Sequence, residues 1–198
     1  MKSTHNEPQG LDLKDFLKEY KDKLIRFNVN DKYRSEMYFL ESLLMPVSGK
    51  TMLDYGCGIG TAVEYFRAQG LRVYGYDRFN YLPVQPEWFV VETALKFNSV
   101  YFMHSLAHIE ALDYKLEALK ELLYNDAEIV VITPNESWLM NQDKTGYTPD
   151  PTVVSHFTSE RLVDVFERNG YKVLNHGQFG KASGGYNERL FLKAKYEG

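Results

Sequence analysis

The sequence predicts an α/β fold: a doubly wound, seven-stranded, mostly parallel sheet with an antiparallel last strand, preceded by two helices. Short apolar segments alternate with helical segments over most of the 198 residues, and such alternation requires crossover connections, which join parallel strands. The last two apolar segments have no helix between them and are expected to pair antiparallel. The segment before the first strand shows helical spacing alone. We therefore expect one domain over 1–198, with an N-terminal helical cap over 1–48 and an α/β core over 49–198.

Apolar side chains at helical spacing predict the two helices of the cap. In the first helix they are Leu13, Phe16, Leu17, Tyr20 and Leu24, and in the second they are Met37, Leu40 and Leu44. The seven predicted strands are 51–55, 72–76, 88–91, 99–103, 128–133, 171–175 and 190–196. Further helices are predicted over 113–124 and 158–169, with Asp113 and Thr158 as N-caps, and over 61–69. The irregular segment 135–155 remains, and connections of that length are often functional.

Composition argues against several classes of function. The net charge is −4 and the pI is about 5.8, whereas a nucleic-acid protein needs a basic surface. The chain also lacks an Asn/Asp-Pro-Pro-aromatic element that would hold a flipped base, so we expect no nucleic-acid partner. Cys57 is the only cysteine, which excludes an intrachain disulfide, and no Cys/His spacing predicts a metal site.

Hydropathy predicts no membrane partner and a cytoplasmic location. The longest apolar core segment, 129–132, is far shorter than the roughly 20 residues of a membrane span. The N-terminal residues contain no apolar run that would form a signal peptide. The sequence leaves the oligomeric state open.

Three alternating glycines form the strongest motif of the sequence. Gly56, Gly58 and Gly60 lie between a predicted strand and a predicted helix, where glycine allows a sharp turn and close approach of a ligand to the backbone. The helix N-terminus offers unpaired N–H groups to an anionic group. Asp54 precedes this loop and Asp77 ends the next strand, where a carboxylate can accept hydrogen bonds from a ribose diol. The pattern predicts a nucleoside cofactor at the carboxyl edge of the sheet.

The glycine spacing and Asp54 bear on which cofactor binds. Dinucleotide enzymes use G-x-G-x-x-G to hold a pyrophosphate, whereas this loop reads G-x-G-x-G. The Asp54 carboxylate would repel a pyrophosphate and attract an ammonium or sulfonium group. An NAD-dependent oxidoreductase is therefore the less favoured enzyme.

At these residues the sequence resembles the class I S-adenosylmethionine-dependent methyltransferases. Residues 53–60 with Asp77 look like the first two cofactor motifs of that family, and 99–110 is similar to the fourth-strand motif of its small-molecule branch. Segments 129–135 and 156–171 resemble the fifth strand and the approach to the sixth. The resemblance implies a Rossmann-like fold and S-adenosyl-L-methionine as cofactor. It also implies a set of residues that bind the cofactor: Asp54 for the amino group, Gly56, Gly58 and Gly60 for the methionine and ribose, Asp77 for the ribose hydroxyls, Arg78 for the adenine, Met103, His104 and Ser105 beside the methyl donor, and Arg34 for the carboxylate.

The resemblance implies methyl transfer to a small polar molecule, such as a sugar or another metabolite, at oxygen. An alcohol must lose its proton, and histidine is the natural general base near neutral pH. The candidates are His108, then His104, then His156, and packing roles remain open for each. Segment 140–152 and the cap helices are expected to cover the acceptor. The connection 92–98 is short, and Ala107 stands where the family often has glutamate. A catalytically degenerate cofactor-binding or interaction module is therefore the alternative.

Overall fold

The computed structural model describes residues 22, 31–44, 49–82, 84–91, 93–140, 152–183 and 186–198. The helices are α1 Asp31–Leu44, α2 Thr61–Arg67, α3 Leu112–Leu119, α4 Glu136–Met140 and α5 Ser159–Arg168, with 3-10 turns at Leu106–His108 and Lys120–Leu122. The strands are β1 Thr51–Tyr55, β2 Arg72–Tyr76, β3 Phe97–Met103, β4 Leu123–Pro134, β5 Lys172–Ser183 and β6 Tyr186–Lys195. The second predicted cap helix is therefore α1. The first lies outside the described residues except for Asp22, which is helical.

Within the described ranges, six strands form one sheet in the order β2-β1-β3-β4-β6-β5. The first four in that order are parallel, and β6 is antiparallel to both of its neighbours. The mostly parallel sheet with a reversed last strand is confirmed. Because parallel strands end at the same edge, the carboxyl ends of β1, β2 and β3 meet there.

The segment 88–91 is not the predicted strand, because it makes only one isolated bridge, between Phe89 and Gly75, and the described residues therefore do not confirm the predicted count of seven strands. Gly75 donates to the Trp88 carbonyl and accepts from Val90, at 2.9 and 2.8 Å. The Phe89 N–H instead donates to the carbonyl of Pro86 in a turn. Residues 86–89 therefore form a turn beside β2, and the pairing is limited to one bridge.

Each face of the sheet carries its own apolar core, as expected for a doubly wound fold. On one face, Phe102 and Val131 pack with Leu116 of α3 and Phe166 of α5. On the other face, α1 and α2 bury a second cluster against β1, β3 and β4, whose members include Met37, Leu40, Phe66, Met103 and Ile132. The face covered by α1 is the one toward which Tyr101 and Met103 point at the end of β3.

The two predicted helix caps have different outcomes. The Thr158 hydroxyl accepts from the Arg161 N–H at 3.3 Å, so this cap is confirmed. Asp113 is not an N-cap: α3 follows Ala111, which has a left-handed φ of +50° and makes no side-chain cap. The Asp113 carboxylate accepts from the Arg168 guanidinium and the Asn169 amide instead, and both donors lie at the C-terminal end of α5.

Candidate functional site

Asp77 joins the glycine loop to the end of β2. One carboxylate oxygen accepts from the Gly58 N–H at 2.8 Å, and the other accepts from the Phe79 N–H at 3.1 Å. The register of the sheet places Asp54 of β1 opposite Gly75 and Tyr101. The structure therefore brings together the two aspartates and the glycine loop that the motif predicted.

Packing within the protein requires two of the three glycines. Gly56, Gly58 and Gly60 have φ values of +84°, +57° and +81°. A β-carbon on Gly56 would lie 2.3 Å from the β-carbon of Ser105, and one on Gly60 would lie 2.1 Å from the indole of Trp88. Sequence reasoning had assigned these glycines to close approach by a ligand. The structure adds that Gly56 and Gly60 are needed whether or not a ligand is bound.

Asp54 is a buried carboxyl group, and one of its oxygens makes no hydrogen bond with the described residues. The residue is 2% exposed, and its Oδ1 atom has no hydrogen-bond partner among the described residues. Burial raises the pKa of Asp54 well above its usual value, and the nearby charge of Asp77 raises it further. The buried Tyr101 hydroxyl lies near Asp54 and offsets part of this rise in the pKa of Asp54, but within the described residues it makes no well-formed hydrogen bond. A cationic donor placed here would satisfy Asp54 and stabilise its ionised form.

Helix α1 supplies two site residues that sequence reasoning missed. Tyr33 is buried, and its pKa is raised by burial and then by the charges of Asp54 and Glu36. The spacing Tyr33, Glu36, Leu40 places a carboxylate on the apolar side of the helix. That spacing was the available signal, because a charged residue on a buried face needs a partner.

Glu36 meets two basic side chains from distant parts of the chain. Its Oε2 atom lies 2.5 Å from Nε2 of His104, and its Oε1 atom accepts from Nε of Arg189 at 2.8 Å. The side chains of Glu36, Arg189 and His104 are 4%, 9% and 13% exposed. Burial would raise the pKa of Glu36, but the hydrogen bonds and charges of His104 and Arg189 outweigh it and leave that pKa below its usual value. Sequence reasoning also missed Arg189.

The three candidate histidines lie in different surroundings. His104 follows β3 directly with a left-handed φ of +59°, which non-glycine residues seldom adopt. His108 lies in the following 3-10 turn, with Nδ1 2.9 Å from the hydroxyl of Thr152. His156 is exposed. Only His104 takes part in the buried network with Glu36.

The remaining predicted residues differ in burial. Met103 is buried on the face that α1 covers. Arg78 is exposed, lies 3.7 Å from Glu110, and stacks over the Phe79 ring at 5.3 Å. Arg34 is exposed on α1. The predicted covering segment 140–152 is described only at its two ends, Met140 and Thr152.

The described residues contain neither a candidate metal site nor a candidate membrane span. No group of three His, Cys, Asp or Glu side chains in these ranges could hold a metal ion. No helix within them is long and apolar enough to cross a bilayer.

Comparison with known proteins identifies the family of this chain. A family model described as a methyltransferase domain matches residues 27–176. No curated protein sequence matches the chain.

Solved structures with the same fold are distant in sequence. The 1,6-didemethyltoxoflavin-N1-methyltransferase of Burkholderia thailandensis has a TM-score of 0.68 at 20% identity, over 93% of this chain and 87% of that one. The magnesium protoporphyrin IX methyltransferase of Synechocystis has a TM-score of 0.66 at 15% identity, over 92% and 97%. A methyltransferase from Aquifex aeolicus gives 0.64 at 16% identity, over 91% and 97%. The domain match and the shared fold show that the chain is an enzyme of the class I S-adenosylmethionine-dependent methyltransferase family.

Proposed function

We propose that this methyltransferase acts on a hydroxyl oxygen of a small polar molecule, such as a sugar or another metabolite. The observation that carries the proposal is the buried pair of His104 and Glu36 at the carboxyl end of β3. Transfer to an alcohol needs a base beside the reacting oxygen, and a histidine held by a carboxylate is suited to that role. When bound, S-adenosylmethionine supplies the electrophilic methyl group.

The described residues fit that cofactor. The unpartnered Oδ1 of Asp54 would accept from the ammonium of the methionine part, which would satisfy a buried acceptor. Asp77 uses its carboxylate on two backbone N–H groups and keeps lone pairs for the ribose hydroxyls, since a carboxylate offers about four. The unpaired oxygen of Asp54 supports an ammonium contact for that residue, and the remaining lone pairs of Asp77 support a ribose contact.

The backbone of His104 supports a functional role for its imidazole. A left-handed conformation at a non-glycine residue costs on the order of 1–3 kcal/mol and persists where the surroundings impose it. At His104 the surroundings include Glu36 and, through it, Arg189. His108 is the second candidate base, because Thr152 holds its Nδ1 atom.

The position of α1 over this edge of the sheet supports a small acceptor. Tyr33, Glu36 and Met37 are all buried against the sheet, which leaves a macromolecular acceptor little access on this side. The neighbour from Burkholderia thailandensis was solved with bound 1,6-didemethyltoxoflavin, a small molecule. That enzyme is named for transfer to nitrogen, so oxygen in this chain must be tested against nitrogen.

A degenerate, non-catalytic module is the second candidate. Ala107 precedes His108 where the family often has glutamate, so part of the usual acidic apparatus is missing. In such a module Glu36, His104 and Arg189 would serve only to dock α1. This reading predicts cofactor binding without turnover.

Calorimetric titration with S-adenosylmethionine, S-adenosylhomocysteine and NADH is the first experiment, with Asp77→Ala beside Asp164→Ala as a control on the exposed surface of α5. We expect the first two ligands to bind and Asp77→Ala to lose at least about 10-fold in affinity, because a hydrogen bond to a charged group contributes about 1.5–3 kcal/mol. Asp164→Ala should bind normally. Preference for NADH would overturn the cofactor assignment.

Turnover with matched hydroxyl and amine acceptors, followed by mass spectrometry of the products, tests the acceptor atom. We expect methyl ethers, loss of activity in His104→Asn, and retained cofactor binding in that variant. Exclusive methylation of amines would refute the oxygen assignment. Loss of activity in His108→Asn but not in His104→Asn would transfer the role of base to His108. Tight cofactor binding without any product would favour the degenerate module.

A further inference from the structure

We propose that Glu36 is a positioning residue that fixes the tautomer of His104, so that the acceptor proton is taken up at Nδ1, and that Arg189 anchors Glu36 for this purpose. The proposal deepens the proposed function, since it rests on His104 acting as the base. It concerns a carboxylate on α1 that reaches a histidine 68 positions along the chain and an arginine 153 positions along it.

The protonation states follow from the partners of Glu36. Between two basic side chains its carboxyl group is ionised, and an ionised carboxylate can only accept hydrogen bonds. Arg189 therefore donates from Nε to Oε1, and His104 donates from Nε2 to Oε2. When His104 is neutral its single ring proton is on Nε2, which leaves the lone pair on Nδ1.

Proton and charge balance in the resulting step. The O–H bond of the acceptor breaks as an N–H bond forms at Nδ1 of His104. With S-adenosylmethionine bound, the acceptor oxygen would bond to the methyl carbon as the carbon–sulfur bond breaks, and the electron pair of that bond would stay on sulfur. The positive charge leaves the sulfonium and appears on the imidazolium, next to the Glu36 carboxylate, which stabilises it.

Glu36 uses one carboxylate oxygen for Arg189 and the other for His104, which argues against a purely structural ion pair between Glu36 and Arg189. Arginine and carboxylate commonly meet through two parallel hydrogen bonds. Here Arg189 uses Nε on Glu36, while its Nη1 donates to the Glu188 carbonyl at 3.2 Å and lies 3.4 Å from the Glu188 carboxylate. The second oxygen of Glu36 is thereby kept for His104, at the sheet edge where the cofactor motifs converge.

Several titratable groups lie near the network of Glu36, His104 and Arg189, and they determine which variant can serve as a control. Tyr33 on α1 and Glu188 on β6 lie close enough to interact with the network, and Asp54 acts on Tyr33. Glu41 is also on α1 but accepts from the Tyr65 hydroxyl at 2.7 Å, away from His104. Glu41→Gln is therefore the matched control for Glu36→Gln.

The test is nitrogen-15 NMR of the imidazole ring in the protein without cofactor, with His104 assigned by its loss in His104→Asn. We expect the Nε2–H tautomer in the wild type and in Glu41→Gln. In Glu36→Gln the new amide can donate to Nε2 while its oxygen still accepts from Arg189, so we expect His104 to switch to the Nδ1–H tautomer. With a hydroxyl acceptor, kcat should fall by on the order of 10²–10⁴-fold, as when a triad aspartate is made an amide, with unchanged affinity for S-adenosylmethionine.

The tautomer separates failure of this proposal from failure of the proposed function. An Nδ1–H tautomer in the wild type overturns the positioning role, even if Glu36→Gln fails to fold. An unchanged tautomer in folded Glu36→Gln also overturns it, whether or not the enzyme methylates alcohols. A tautomer switch in a protein that methylates no alcohol supports the positioning of His104 by Glu36 and removes only the acceptor assignment.

Discussion

Replacement of Gly60 by alanine separates two costs that the structure combines in the glycine loop. Gly60 and Gly70 have the same φ of +81°. A β-carbon on Gly60 would lie 2.1 Å from the indole of Trp88, whereas nothing lies within 4 Å of one on Gly70. Gly70→Ala therefore carries the backbone cost alone, and Gly60→Ala carries the backbone cost together with a steric clash.

The magnitudes follow from those two costs. A left-handed backbone costs an L-residue about 1–2 kcal/mol, which is the expected loss for Gly70→Ala. Forcing extra volume into a packed site costs a further ~1–3 kcal/mol, so Gly60→Ala should lose about 2–5 kcal/mol of unfolding free energy. With a urea slope of about 2 kcal/mol per molar, the Gly60→Ala midpoint should lie roughly 0.5–1.5 M below that of Gly70→Ala.

Urea unfolding followed by far-ultraviolet circular dichroism measures both variants without relying on the fluorescence of Trp88. The variant Trp88→Leu provides the second arm of a double-mutant cycle. In that background Gly60→Ala should cost no more than Gly70→Ala, because the clashing ring is gone. Equal losses for Gly60→Ala and Gly70→Ala in the wild-type background would refute the packing explanation of the third glycine.

Three further predictions concern single groups. Because the folded-state pKa of Asp54 is raised, wild-type stability relative to Asp54→Asn is greatest below about pH 4 and falls as the pH rises toward that pKa; urea unfolding at pH 5 and pH 8 should show a larger advantage for Asp54→Asn at pH 8, and a pH-independent difference would contradict this. Burial raises the pKa of the Cys57 thiol, so a thiol reagent at pH 8 should modify the folded protein at least about 10-fold more slowly than the urea-unfolded chain; equal rates would show that the loop opens freely. Thr158→Ala removes the acceptor of the Arg161 N–H and should cost about 1 kcal/mol in unfolding free energy, while Thr158→Ser should cost much less.

Local sequence signals predicted the strands that lead into the glycine loop and into Asp77. The bounds of β1 and β2 match those predicted from the apolar segments before Gly56 and Asp77. The sequence marks both ends clearly, because Gly56 follows the first strand and Asp77 follows the second. The contact between Asp77 and the loop was not predicted, but it follows from the geometry of the sheet, since both follow adjacent parallel strands. These features depend on neighbours in sequence or on the general geometry of a parallel sheet.

The network of Glu36, His104 and Arg189 depends on contacts that no local pattern contains. Glu36 could be recognised as a charged residue on an apolar helix face, but its partners are His104, which follows β3, and Arg189 of β6. The third predicted strand failed for a related reason: Trp88 turns its indole toward Gly60 and donates to the Glu64 carboxylate of α2. An apolar segment looks the same in sequence whether its side chains extend a sheet or fill a gap beside a loop.

The network that holds α1 also has a consequence for synthesis of the chain. Glu36 and Arg189 are separated by 153 positions, and at translation rates of ~5–20 residues per second about 8–30 s pass between them. Lys193, which donates to the Leu43 carbonyl at the end of α1, emerges later still. Throughout that interval Glu36 of α1 lacks the arginine with which it pairs in the folded protein. We therefore expect α1 to reach its final position only after β6 has left the ribosome.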